Sequence, residues 1–258
     1  MLVIRKEQIE QLGAGALRAF EDEMVAHLAE FSPPLYKVIK DDQLREAVRF
    51  GIAQSERYGF KLRGPIRLYL EMMLLFGSHF DTDPQYPWAR EILIDRHSMP
   101  EMQRAELLCE KITDFQEKVS GPNGENTRKA LEGLQIIGRN PLDLSPVDFD
   151  ESIRREIYRV FPQKVEYIGL DNLRKLIRDG RKEAKSYEFP VTSGETLMIV
   201  LKFAFGHGCA NDGLYPWIGR TLRDDKIMTP AARAERLEKK SVTWLDHVLK
   251  GSLGEEQI

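Results

Sequence analysis

The chain is short of the features that assign a protein quickly. Its two cysteines, Cys109 and Cys209, are too few for a disulfide framework. Its longest apolar runs, such as Met72 to Phe76, fall far short of the roughly 20 residues that a membrane-spanning helix needs. The opening Met1-Leu-Val-Ile-Arg-Lys-Glu has no basic start followed by an apolar stretch, so a cytoplasmic protein made without a secretory signal is expected. Charge of one sign is also lacking. The net charge is −3 and the pI about 6.0, with acids and bases interspersed along both halves. Nothing in that balance invites nucleic acid or an anionic membrane. Phosphate-loop, His-Glu-x-x-His, Cys-x-x-Cys and Gly-x-Ser-x-Gly patterns are all missing. Gly13-Ala-Gly-Ala is too weak to be a nucleotide fingerprint.

What the chain does have is a repeat. Shifted by about 129 residues, Asp42 to Lys111 lies over Asp171 to Lys240 without a gap, with roughly 22 identities in about 70 positions. The densest match pairs Phe76-Gly77 with Phe205-Gly206, Asp83 with Asp212, and Tyr86-Pro87-Trp88 with Tyr215-Pro216-Trp217. Arg104-Ala105-Glu106 recurs as Arg233-Ala234-Glu235. We read this as an internal duplication. A residue needed only for folding should persist in both copies, whereas one needed for chemistry is free to survive in one.

Hydrophobic spacing predicts helices almost throughout, and no persuasive strand, although Met1 to Ile4 suits extended backbone. Leu12, Leu17, Phe20, Met24, Leu28 and Phe31 form the apolar stripe of a first helix, which Ser32-Pro33-Pro34 ends. Asp41-Asp42 then opens a helix containing Leu44, Val48 and Ile52, and Asp171 opens its counterpart. A second, largely apolar helix follows in each copy over 65–75 or 194–205. The third begins at Pro87 or Pro216, where a missing N–H costs nothing. The fourth runs over about 100–119 or 230–249. The expected protein is all-α, with two tandem repeats of about four helices each. The N-terminal repeat spans 1–119, a linker 120–150, and the C-terminal repeat 151–258.

The polar cluster that most invites a function is Glu71, His79, Asp81 and Asp83, whose types and spacing suit a divalent metal or acid/base pair. The second copy has Val200, Gly208 and Ala210 at the first three positions and retains only Asp212. Asp83 and Asp212 are therefore expected to bond backbone amides at the turn into Tyr-Pro-Trp. The aromatic residues of that motif are expected to pack in the core. Gly51 and Gly180, inside helices, mark close helix approach. Cys109 is expected as a small buried thiol. Cys209 matches Phe80, which also argues for burial over nucleophilicity. His207 reads as a loop residue. The charges over Arg178 to Lys185 read as a solvated helix face. No catalytic, cofactor-binding or metal-ligating residue is assigned, and no cofactor is expected.

At Gly77-x-x-Phe80-Asp81-Thr82-Asp83-Pro84-x-x-Pro87-Trp88 the chain resembles uncharacterised helical bacterial proteins encoded beside type VI secretion effectors. The resemblance covers chiefly the first repeat. The second departs from it at the positions of Phe80, Asp81 and Pro84. It implies a non-enzymatic accessory protein that binds a secreted toxin or effector, as an immunity protein or a chaperone, and it supplies no catalytic residues. The alternative reading is a metal-dependent enzyme or metal-binding protein built on Glu71, His79, Asp81 and Asp83.

Overall fold

A computed structural model of the chain describes residues 6–32, 36, 37, 39, 41–142 and 144–253. Met1 to Ile4, Pro33 and Pro34 lie outside these residues, as does the Leu12 side chain. The described chain is all-α, with helices and no strand.

Helix α1, Lys6–Phe31, buries Phe20, Met24, Val25 and Leu28, while Leu17 and Phe31 at the edges of the expected stripe are exposed. It packs on α2, Asp41–Arg57, and α3, Arg63–Phe76. Asp41 and Asp42 occupy the first turn of α2, where negative charge complements the helix dipole. The short α4, Pro87–Arg90, starts on proline and continues through a wide turn to Asp95. Helix α5, Glu101–Phe115, ends through a similar wide turn at Ser120.

The stretch expected as a linker holds a helix, α6, over Glu125–Arg139. Ala130, Leu134 and Ile137 form its buried stripe, which seats it against α12 and α7. Helices α7, Phe149–Val160, and α8, Pro162–Ile168, follow. The order of the first segment then recurs in α9, Leu170–Ser186, α10, Ser193–Phe205, α11, Pro216–Leu222, and α12, Pro230–Leu253. Each matched segment thus supplies four helices in the same order. One hydrophobic cluster runs from Phe20 to Leu237 and takes residues from both.

The paired glycines explain how tightly the elements sit. A Cβ on Gly51 would lie 2.4 Å from Leu70 Cδ2, and one on Gly180 would lie 2.7 Å from Ile199 Cγ1. Glycine therefore sets the close approach of α2 to α3 and of α9 to α10.

Candidate functional site

The segment that looks most like a motif forms the centre of the fold. After α3 the chain turns at Gly77 with φ +91°, and after α10 it turns at Gly206 with φ +92°. These glycines meet. A Cβ on Gly77 would lie 2.5 Å from the Phe205 carbonyl oxygen, and one on Gly206 would lie 2.9 Å from that of Phe76. Only a residue without a side chain satisfies both the positive φ and the contact.

The carboxylates complete the arrangement reciprocally. Asp83 Oδ1 accepts from the Gln85 amide at 2.8 Å, and Asp212 Oδ1 accepts from the Leu214 amide at 2.8 Å, which are the expected turn bonds. Each acid also reaches into the other loop. Asp83 Oδ2 accepts from the His207 amide at 2.6 Å, while Asp212 accepts from the Ser78 amide at 2.8 Å and the Ser78 hydroxyl at 2.5 Å. Both carboxylates are buried, at 2% and 4% exposure. Burial raises the Asp212 carboxyl above its ordinary range, and the Ser78 bonds oppose that shift. Thr82 and the His207 ring, 3.0 Å apart, extend the contact. Burial lowers the His207 imidazole, keeping it uncharged near neutral pH.

The aromatic residues repeat with the same geometry. Phe76 and Tyr86 have ring centroids 4.6 Å apart, and Phe205 and Tyr215 lie 4.7 Å apart. Phe115 closes the first cluster at 4.9 Å from Phe76, and Trp244 closes the second at 4.8 Å from Phe205. Tyr86 and Tyr215 are buried as expected.

The proposed metal cluster is dispersed. Glu71 faces α1, where it meets His27 Nε2 at 2.6 Å, and it also pairs with Arg67. Asp81 accepts from the Tyr58 hydroxyl at 2.6 Å. His79 packs its ring edge-on to Phe50 and against the backbone of Gly208, where no side chain would fit. Among the described residues no three His, Cys, Asp or Glu side chains converge as a metal site. Cys209 is buried and its thiol is pushed up to about 12 by desolvation, which removes the thiolate that nucleophilic attack requires. Cys109 is exposed, not buried as expected. The Leu-Leu-Cys run places Leu108 inward, so its neighbour one position on falls on the outer face of α5. On the charged face of α9, Arg181 pairs with Asp150 at 2.7 Å and lies over the Phe149 ring.

Among the openings, two are lined chiefly by apolar side chains. A shallow apolar slot lies between α6, α10 and α12, with Leu134, Ile137, Leu197, Val200, Val242 and Leu245 among its walls. A cavity of about 310 Å³ lies between the matched segments, walled by aromatic residues of both aromatic clusters and by Lys164. Lys164 is 6% exposed, and its Nζ donates to the Phe203 carbonyl at 2.5 Å. Burial lowers its amine to about 8, and the more distant Asp83 partly offsets this. Nothing in the sequence marks this lysine. Pro162-Gln-Lys-Val lies outside both matched segments and has no motif around it.

Compared with known families, curated proteins and solved structures, the chain matches none.

Proposed function

We propose that this is a non-enzymatic binding protein that recognises another protein. The slot between α6, α10 and α12 carries the reading. Apolar side chains from three helices line it, Leu197, Val200 and Val242 partly exposed and Leu134, Ile137 and Leu245 buried, which suits a few apolar side chains of a partner segment. The ionisable groups that first suggested chemistry support it from the other side, because Glu71, Asp81, Asp83 and Asp212 each serve an internal bond. The resemblance at Gly77 to Trp88 supplies the class of partner. It is a secreted toxin or effector of a type VI system, bound by an immunity protein or chaperone acting in the cytoplasm.

Co-purification with the product of the neighbouring gene tests the reading. The wild-type chain should retain that product, and Val200→Asp, which places charge on the slot wall, should weaken capture by about tenfold or more while the thermal midpoint holds. Failure of the wild type to retain the product, with no protection of cells making it, would overturn the proposal. Growth then separates the two roles: an immunity protein rescues cells that make the toxin alone, whereas a chaperone changes toxin abundance or delivery.

A further inference from the structure

The cavity around Lys164 has a composition that the fold does not require. Its walls are mainly hydrocarbon and aromatic, with Phe115, Phe161, Phe203 and Trp244 among them and the hydroxyls of Ser32, Ser120 and Thr127 between, and one cation, Lys164, stands in that wall. Lys164 lies with its Nζ 4.5 Å from the centroid of the Phe203 ring and 5.8 Å from that of Tyr86. An ammonium has three donors. The Phe203 carbonyl, near the end of α10, takes one, and among the described residues Lys164 pairs with no carboxylate. Asp83, the acid that acts on it from farther away, has its oxygens engaged by Gln85 and His207. A buried charge without a counter-ion is costly, and a carboxylate brought in by a ligand would relieve that cost.

Space and access suit such a ligand. The cavity's roughly 310 Å³ holds about ten waters, or roughly ten to fifteen non-hydrogen atoms of a compact molecule. It shares Leu75, Ser120, Thr127, Leu131 and Val248 with an open depression of about 990 Å³ beside residues 121–125, which gives a route from solvent. The phenols of Tyr86 and Tyr215 line the same space. Burial raises both, so they remain protonated hydrogen-bond donors.

We propose that this cavity binds a small apolar monocarboxylate, its carboxylate paired with Lys164 and its hydrocarbon or aryl body against the aromatic walls. The cavity shares Leu134 and Ala204 with the α6–α10–α12 slot, but Lys164 and the aromatic walls belong to the cavity alone, and the inference does not depend on a protein partner.

Calorimetric titration of the purified full chain with octanoate, and with 1-octanol as the uncharged probe of equal length, tests it. Octanoate should bind about tenfold or more tightly than octanol and change the fluorescence of Trp244. Lys164→Met should erase the preference for the acid. Ala204→Phe, which fills the cavity while keeping the lysine, should abolish binding of both compounds. That variant keeps the test open if Lys164→Met does not fold. No binding of octanoate at millimolar concentration, equal binding of acid and alcohol by the wild type, or undiminished preference in Lys164→Met would each overturn the proposal. In the last two outcomes Lys164 is only a cap on the end of α10.

Discussion

At the scale of single residues, the chain separates what its backbone needs from what its side chains are free to do. Gly77 is fixed twice, by φ +91° and by the Phe205 oxygen, whereas the nearest atom to a Cβ on Gly213 would be Ala47 Cβ at 3.8 Å. Gly77→Ala should therefore cost about 3 kcal/mol or more, and Gly213→Ala should stay within about 0.5 kcal/mol. Urea titrations of the two variants at neutral pH check this, and similar losses would contradict the account of the turn. Lys164 gives a second residue-level test. Its amine titrates at about 8 in the fold and near its ordinary 10.5 in the unfolded chain. Between those values only the unfolded chain holds the proton, so raising the pH favours the fold. Below the folded value both states are charged, and the burial cost is present in full. Relative to Lys164→Met, the wild type should thus gain on the order of 3 kcal/mol between neutral pH and the ordinary lysine value. A stability difference that does not change over that range would mean the amine is not desolvated.

At the scale of elements, α6 shows what was not legible in the sequence. Ser120-Gly-Pro-Asn-Gly-Glu-Asn reads as a linker, and the chain does turn there, with positive φ at Gly121, Asn123 and Gly124. The helix behind it has a regular stripe in Ala130, Leu134 and Ile137, but turn-rich residues on both sides mask its length. Its place is set by distant partners. Gln135 and Arg139 both donate to Asp246 on α12, and a Cβ on Gly138 would lie 2.7 Å from Val242. Amide exchange over Glu125–Arg139 should be slowed to a degree comparable with the facing part of α12, and exchange at linker rates would refute the packed helix. The four helices of each matched segment were readable because period, capping acids and helix-starting prolines agreed. The aromatic core and the turn bonds of Asp83 and Asp212 were readable for a related reason: both matched segments have them. The cross-loop bonds of those acids were not, because sequence spacing carries no information about which distant amide lies opposite. Lys164 was hidden for the same reason, and the exposure of Cys109 was not legible because Leu107-Leu108-Cys109 is a continuous apolar run that does not mark which member faces outward.

At the scale of the molecule, the two matched segments are joined through positions at which their residues are identical. Removing Asp83 leaves the Gln85 and His207 amides without their acceptor, and removing Asp212 does the same to Ser78 and Leu214. Asp83→Ala and Asp212→Ala should each cost about 2–4 kcal/mol, since a buried donor stripped of a charged acceptor bears its full desolvation penalty. The effects should not add. Each acid holds the opposite loop against its own, so once one is gone the contact that the other serves is already loosened. The double variant should fall short of the sum by about 1 kcal/mol or more. The same joint predicts one calorimetric transition for the wild type, because the core cluster draws on both segments and neither buries its turn without the other. Additive losses together with two resolved transitions would describe halves that merely touch. A shared shortfall and a single transition would mean that Gly77, Asp83, Gly206 and Asp212 act as one structural unit, leaving specificity to the surfaces where the two segments differ.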